Sequence, residues 1–207
     1  MRPNCILAFD TSAAYCAAAL LCDGQVSVKI EPMEKGQAER LMPLLEELLA
    51  EAGVIWRDLA AIAVGVGPGN FTGVRISVAA ARGLALGLGI PAIGVTRLEA
   101  LAHGLPRPLT VIEDARRGEV YVQSFGADGA GAARIAKPDD LGLIEDLRTG
   151  SGCDGLPPAM PLVAAMLEIA KGRLGSDQPR PAPFYLRGAD AAPPSDPPPV
   201  ILDLVTP

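Results

Sequence analysis

Residues 59–95 read LAAIAVGVGPGNFTGVRISVAAARGLALGLGIPAIGV. Leu59 to Gly65 is an unbroken apolar run ending in glycine, as expected of a buried strand. The turn Gly65-Val66-Gly67-Pro68-Gly69-Asn70 punctuates it. A long helix is expected from Phe71 to Leu88, with Asn70 or Thr72 as its cap, and a short strand from Ala92 to Val95. Strand, glycine turn, helix, strand is an α/β order.

Working outward toward the N-terminus, residues 4–10, 15–22 and 25–31 read as three short strands, with Asp23-Gly24 as the hairpin signal between the last two. Residues 37–52 form a helix, with Leu41, Leu44, Leu45, Leu48 and Ala52 at helical spacing and Gly53 at its end. Three strands, helix, strand, helix, strand matches the ribonuclease-H-like half-domain from which actin-like and sugar-kinase-like (ASKHA) proteins are built. The second half opens in a similar way. Leu109 to Asp114, a basic turn, Glu119 to Phe125 and Asp128-Gly129 repeat the strand-turn-strand opening that runs from Ile6 to Asp23-Gly24. The expectation is an α/β, two-lobed actin-like fold. Residues 1–103 form the N-terminal ribonuclease-H-like lobe carrying the partner-binding helices. Residues 104–207 form a smaller, reduced second lobe with one helix at Pro161 to Leu174. From Asp177 to Pro199 eight prolines make an extended tail draped over the lobes.

Composition narrows the function. The 207 residues are 49% hydrophobic and 20% charged, which excludes disorder as a description of the whole. A net charge of -6 with 18 basic residues makes the chain a poor candidate for holding RNA by itself, though not for a place in a complex whose other subunits supply positive surface. Cys5, Cys16, Cys22 and Cys153 form no CxxC pair and read as free thiols, mostly buried. With one histidine, His103, neither a metal cluster nor a Ser-His-Asp set can be assembled, so no metal, no cofactor and no catalytic residue is expected. Met1 to Asp10 shows no signal-peptide pattern, and the apolar stretch Val74 to Ile90 is interrupted by Arg82 and glycines, so no membrane span is expected and the cytoplasm is the expected compartment.

Two motifs face a possible nucleotide. Asp10-Thr11-Ser12 between two strands is either the hairpin that positions hydrated Mg²⁺ and phosphate in actin-like ATPases or an ordinary Asx turn. Gly67, Gly69 and Asn70 before the long helix either offer N–H groups to an anion or let the helix pack closely; there is no GK[ST] ending. In that helix Gly73, Ser77, Ala81, Ala85 and Gly89 recur every four residues beside Ile76, Ala80, Leu84 and Leu88, and only Arg75 and Arg82 are charged. A partner interface is therefore expected on the two N-lobe helices, centred on Leu41, Leu45, Leu48, Gly73, Ile76, Ser77, Ala80 and Leu84.

Ile6-Leu7-Ala8-Phe9-Asp10-Thr11-Ser12, Gly67-Pro68-Gly69-Asn70-Phe71-Thr72-Gly73-Val74-Arg75-Ile76 and Pro91-Ala92-Ile93-Gly94-Val95 resemble the bacterial TsaB (YeaZ) family. Asp114-Ala115-Arg116-Arg117-Gly118-Glu119-Val120-Tyr121 and Tyr185-Leu186-Arg187 agree with it. Where many members have His-Ser-Glu-Arg-Leu, this chain has Gln37-Ala38-Glu39-Arg40-Leu41. The resemblance implies a non-catalytic subunit that pairs through the two N-lobe helices with the catalytic TsaD in making threonylcarbamoyladenosine beside the tRNA anticodon. A TsaE ATPase would join the assembly, homodimers would use the same surface, and tRNA would be met only through the complex. The alternatives are an autonomous actin-like ATPase or kinase using Asp10 and, further off, a peptidase.

Overall fold

The computed structural model describes residues 5–142 and 146–187. Three antiparallel strands open the chain: β1 (Cys5–Asp10), β2 (Tyr15–Cys22) and β3 (Gln25–Pro32). Asp23 and Gly24, both with positive φ, make the two-residue turn between β2 and β3, whose twist matches the flanking strands. After α1 (Gln37–Glu51), β4 (Leu59–Gly65) adds parallel to β1. After α2 (Phe71–Leu88), β5 (Ala92–Val95) adds parallel to β4, completing the order β3-β2-β1-β4-β5.

Both faces of this sheet are covered, which is why β1 as far as Phe9, and β4, are apolar rather than alternating. On one face, Leu41, Leu44, Leu45, Leu48 and Leu49 of α1 and Val74, Val78 and Ala81 of α2 meet Leu7, Phe9, Leu20, Ile62 and Val64. Each such leucine contributes roughly 1.5–3 kcal/mol by leaving water. The other face is built of small residues, Ala8, Ala17, Ala19, Ala61 and Ala63, and α4 (Leu162–Arg173) lies close against it through Val163, Met166, Leu167 and Ala170.

The chain leaves the first sheet through α3 (Arg97–Ala102) and builds the second from β6 (Leu109–Asp114), β7 (Val120–Gly126), β8 (Gly129–Ala130), β9 (Arg134–Ala136) and β10 (Leu147–Thr149). Here β10 is parallel and β7 antiparallel to β6, the same senses that β4 and β2 have about β1. The two-lobed actin-like architecture is thus present, with the second lobe reduced.

Two expectations change. The chain after residue 103 does not stay in the second lobe: α4 returns to the first sheet because its apolar side fits the alanine face, and Phe184 packs into the α1/α2 core. Cys5 and Cys22 are not free thiols. The β1/β2 register sets them opposite each other, with Cα atoms 4.3 Å apart, and a disulfide joins them. Cys16 and Cys153 are free; burial pushes the Cys16 thiol up to about 11. Of the proline-rich tail, residues 177–187 are without regular structure, and the remainder lies outside the described residues.

Candidate functional site

Asp10 ends β1 with its side chain only 1% exposed. Its Oδ2 accepts hydrogen bonds from Ser12 Oγ at 2.9 Å and the Tyr15 hydroxyl at 2.6 Å, while its Oδ1 has no hydrogen-bond partner among the described residues. Gly65 makes this burial possible: a Cβ there would lie 2.0 Å from Oδ1. The hairpin is then closed over by the glycine turn. Asn70 N donates to Ser12 O at 2.7 Å, Thr11 Oγ1 donates to Gly73 O at 2.6 Å, and Asn70 Oδ1 caps α2 by accepting from Gly73 N at 2.9 Å. A Cβ on Gly69 would stand 2.5 Å from Ser12 O, and one on Gly73 would stand 1.9 Å from Thr11 O. Of the two readings of this corner, direct packing accounts for the glycines. Asp10, Thr11 and Ser12 are buried under the turn, although Ser12 and the exposed Gly69 and Asn70 also reach the neighbouring cleft, and Gly67, itself buried with φ +94, turns the backbone past Phe184.

A polar relay runs from this corner into the second lobe. The Tyr15 hydroxyl accepts from Arg97 Nη1 at 2.8 Å, Arg97 Nε is 2.7 Å from Glu113 Oε1, and Glu113 Oε2 accepts from Ser151 N at 2.8 Å. Burial, and then the Asp10 carboxylate beside it, hold the Tyr15 hydroxyl far above its ordinary range. Burial opposes charge on Arg97, but Tyr15, Glu113 and Asp10 outweigh it and keep the guanidinium protonated. The relay is thus a chain of charges and hydrogen bonds held by its own members.

Beyond the relay opens a cleft of about 660 Å³ between the lobes. Gly69, Asn70 and Phe71 line its first-lobe side, and Glu113, Asp114, Arg116, Arg117 and Tyr121 line the second. Its rim is a strap, residues 181–187, that crosses from one lobe to the other. Phe184 N donates to Val66 O at 2.7 Å, Tyr185 stacks on Phe71 with centroids 5.1 Å apart and accepts from Arg75, and Arg187 pairs with Glu119. Sequence reasoning did not assign Tyr15, Arg97 or Glu113 a role, and gave the strap only that of an extended tail draped over the lobes. Nothing in local spacing links residues 15, 97, 113 and 184; only the fold does.

The expected interface residues divide. Leu41, Leu45 and Leu48 are fully inside the first core, because a stripe at that spacing is the side of α1 that faces its own sheet. Gly73 and Ser77 are also buried; Ser77 Oγ donates to Gly65 O at 3.2 Å. Ile76, Ala80 and Leu84 are half-buried along the edge of α2. The outward surface is made instead by Met42 on α1 and Ala79, Gly83 and Leu86 on α2, Leu86 being 84% exposed. Among the described residues no group of three or more His, Cys, Asp or Glu could hold a metal ion.

The family model described as "TsaD: tRNA N6-adenosine threonylcarbamoyltransferase" matches residues 31–142. The tRNA threonylcarbamoyladenosine biosynthesis protein TsaB of Escherichia coli is 41% identical over 61% of this chain and 57% of its own length. The chain spans about half the length of the curated TsaB relatives it matches. An uncharacterized Mycobacterium tuberculosis protein is 32% identical over 91% of this chain and 94% of that one. The solved structure of YeaZ from Pseudomonas aeruginosa superposes with a TM-score of 0.75 at 29% identity, covering 88% of this chain and all of that one. With the glycine-turn motif, the sheet order and these relatives in agreement, the chain belongs to the TsaD-type tRNA N6-adenosine threonylcarbamoyltransferase family, on its TsaB (YeaZ) side.

Proposed function

We propose that this chain is a non-catalytic scaffold and activator subunit in the synthesis of threonylcarbamoyladenosine on tRNA, working in the cytoplasm by pairing with a TsaD-like catalytic subunit. The observation that carries this reading is the outer side of α2. Ala79, Gly83 and Leu86 lie exposed on a helix with no acidic residue, flanked by the half-buried Ile76, Ala80 and Leu84 and by Met42 of α1. A surface helix ordinarily turns polar residues outward, and small residues there let a second helix pair approach closely. A second copy of this chain fits the same surface, so a homodimer and the TsaD pair exclude each other, with a TsaE-like ATPase joining the latter. The autonomous ATPase is the weaker reading because close packing on the hairpin already accounts for Gly69 and Gly73.

Co-purification with the cognate TsaD-like protein, sizing, and threonylcarbamoyl transfer with and without this chain test the proposal. Gly83→Arg is the informative variant, since no atom lies within 4 Å of a Cβ built there and the fold has room for it. Expected are a complex and chain-dependent transfer for the wild type, and at least a roughly tenfold loss of association, about 1.4 kcal/mol, for the variant at a melting temperature no lower than that of the wild type. Unchanged association of Gly83→Arg would remove α2 from the interface.

A further inference from the structure

The cleft carries a charge contrast that the composition hides. In a chain of net charge -6, Arg97, Arg116, Arg117 and Arg187 converge on one cavity against the carboxylates Glu113 and Asp114. Arg97 is committed to Glu113, and Arg187 to Glu119. Arg116 is different: among the described residues its guanidinium has neither a hydrogen-bond nor an ion-pair partner. Its backbone, at φ 60, and that of Arg117, at φ 56, are left-handed, which costs a non-glycine residue roughly 1–2 kcal/mol each. Such conformations persist where a fold over-determines them, and they cluster at binding sites. Here the hairpin between β6 and β7 holds the pair at the cleft wall. Across from it the rim is aromatic: Phe71 and Tyr185 remain 44% and 45% exposed although they touch each other. The Arg75 guanidinium lies over the Phe71 ring, 3.7 Å from its centroid, which leaves Tyr185 as the ring for a ligand to meet.

We propose that this cleft holds an unpaired nucleotide of a single-stranded RNA segment, its base against the Tyr185 ring of the rim and its phosphate on Arg116. Aromatic faces that accept any base, beside an arginine that takes phosphate, are the usual means of binding unpaired RNA. Close packing on the hairpin accounts for Gly69 and Gly73, so these glycines do not themselves call for a phosphate at the turn, and AMP is set against the oligomer in the test. An otherwise acidic surface also limits the contact to few phosphates, so its salt dependence is shallow. The proposal deepens the reading of a subunit working on tRNA by giving this chain its own contact with the RNA.

The test is fluorescence-anisotropy titration of the isolated full chain with a labelled single-stranded oligoadenylate, and competition by AMP and by duplex RNA. No partner subunit is present, so a failure here leaves the pairing proposal standing, and the reverse. Expected are saturable binding of the oligomer, weaker competition by AMP and by duplex, and a loss of about five- to a hundredfold for Tyr185→Ala. Arg116→Glu should weaken binding about tenfold and reduce the salt slope by about one. Arg116→Gly guards against misfolding, because glycine takes φ 60 without strain; it should lose the cation and the affinity while keeping the melting temperature. Absence of saturable binding, equal affinity for AMP, or full affinity in both Arg116 variants would each overturn the proposal.

Discussion

Glycine at 73 and glycine at 83 share one helix and opposite surroundings, and the difference is measurable. A methyl group on Gly73 would sit 1.9 Å from the carbonyl oxygen of Thr11, a backbone atom that cannot rotate away, whereas at Gly83 nothing lies within 4 Å. Gly73→Ala should therefore cost about 1–3 kcal/mol or more in urea unfolding, as overpacking does. Gly83→Ala should gain roughly 0.5–1 kcal/mol from helix propensity. A neutral Gly73→Ala would mean that the hairpin yields easily and that the corner can open. Tyr15 supplies a second contrast. Its hydroxyl donates to Asp10 and accepts from Arg97, and burial followed by the Asp10 charge raises its pKa above the ordinary 10.0. A group whose folded pKa is raised lends stability that is complete below the unfolded value and is lost as pH climbs past it. Tyr15→Phe should thus cost about 1–3 kcal/mol at neutral pH, through the unsatisfied partners left behind. It should also flatten the loss of stability above pH 10.0, as seen in urea midpoints collected across that boundary.

On the outer side of the first sheet, β3 and α1 are joined by ions rather than by apolar contact. Arg40 bridges Glu31 of β3 and Glu47 of α1, each at 2.6 Å, and Lys29 reaches Glu51 at 2.6 Å. The hydrogen bond to Arg40 is the largest cause holding both Glu31 and Glu47 below the ordinary carboxylate value of 4.5. Stability from such groups is present above 4.5 and fades as pH falls below it. The network is solvent-screened, so the expectation for Arg40→Gln is a small effect of definite sign: a shallower fall of melting temperature on acidification below pH 4.5 than in the wild type. These elements were legible in the sequence because each carries its own period and punctuation. Leu59 to Gly65, Phe71 to Leu88 and Ala92 to Val95 fall where the apolar runs, Asn70 and the glycines put them. What each face meets was not legible. The stripe Leu41, Leu45, Leu48 looks alike whether it faces a sheet or a partner, and α4, apolar on several sides, gives no local sign that alanines of β1, β2 and β4 await it across the molecule.

At the scale of the whole molecule the described residues hold the lobes together by three passages of chain and one buried ion pair. The chain crosses outward at α3, returns at α4 and crosses again in the strap that ends on Glu119. Arg97 stands at the first crossing, its N–H on Gly67 O in the first lobe and its guanidinium on Glu113 in the second. The Glu113 side chain is 6% exposed, so it relies on Arg97 and Ser151 N rather than on water. Removing one member of such a pair costs about 3–5 kcal/mol because the other charge is left stranded; removing both costs far less than the sum. Arg97→Met should fall in that range, Glu113→Leu should also destabilise, and the double variant should recover much of the loss in urea unfolding. If the strap and α4 alone set the lobe arrangement, the two effects would add within about 0.5 kcal/mol. A coupling well above that value would make Arg97–Glu113 the joint that sets how wide the cleft stands. Substitutions there would then change RNA affinity without touching Arg116 or the aromatic rim.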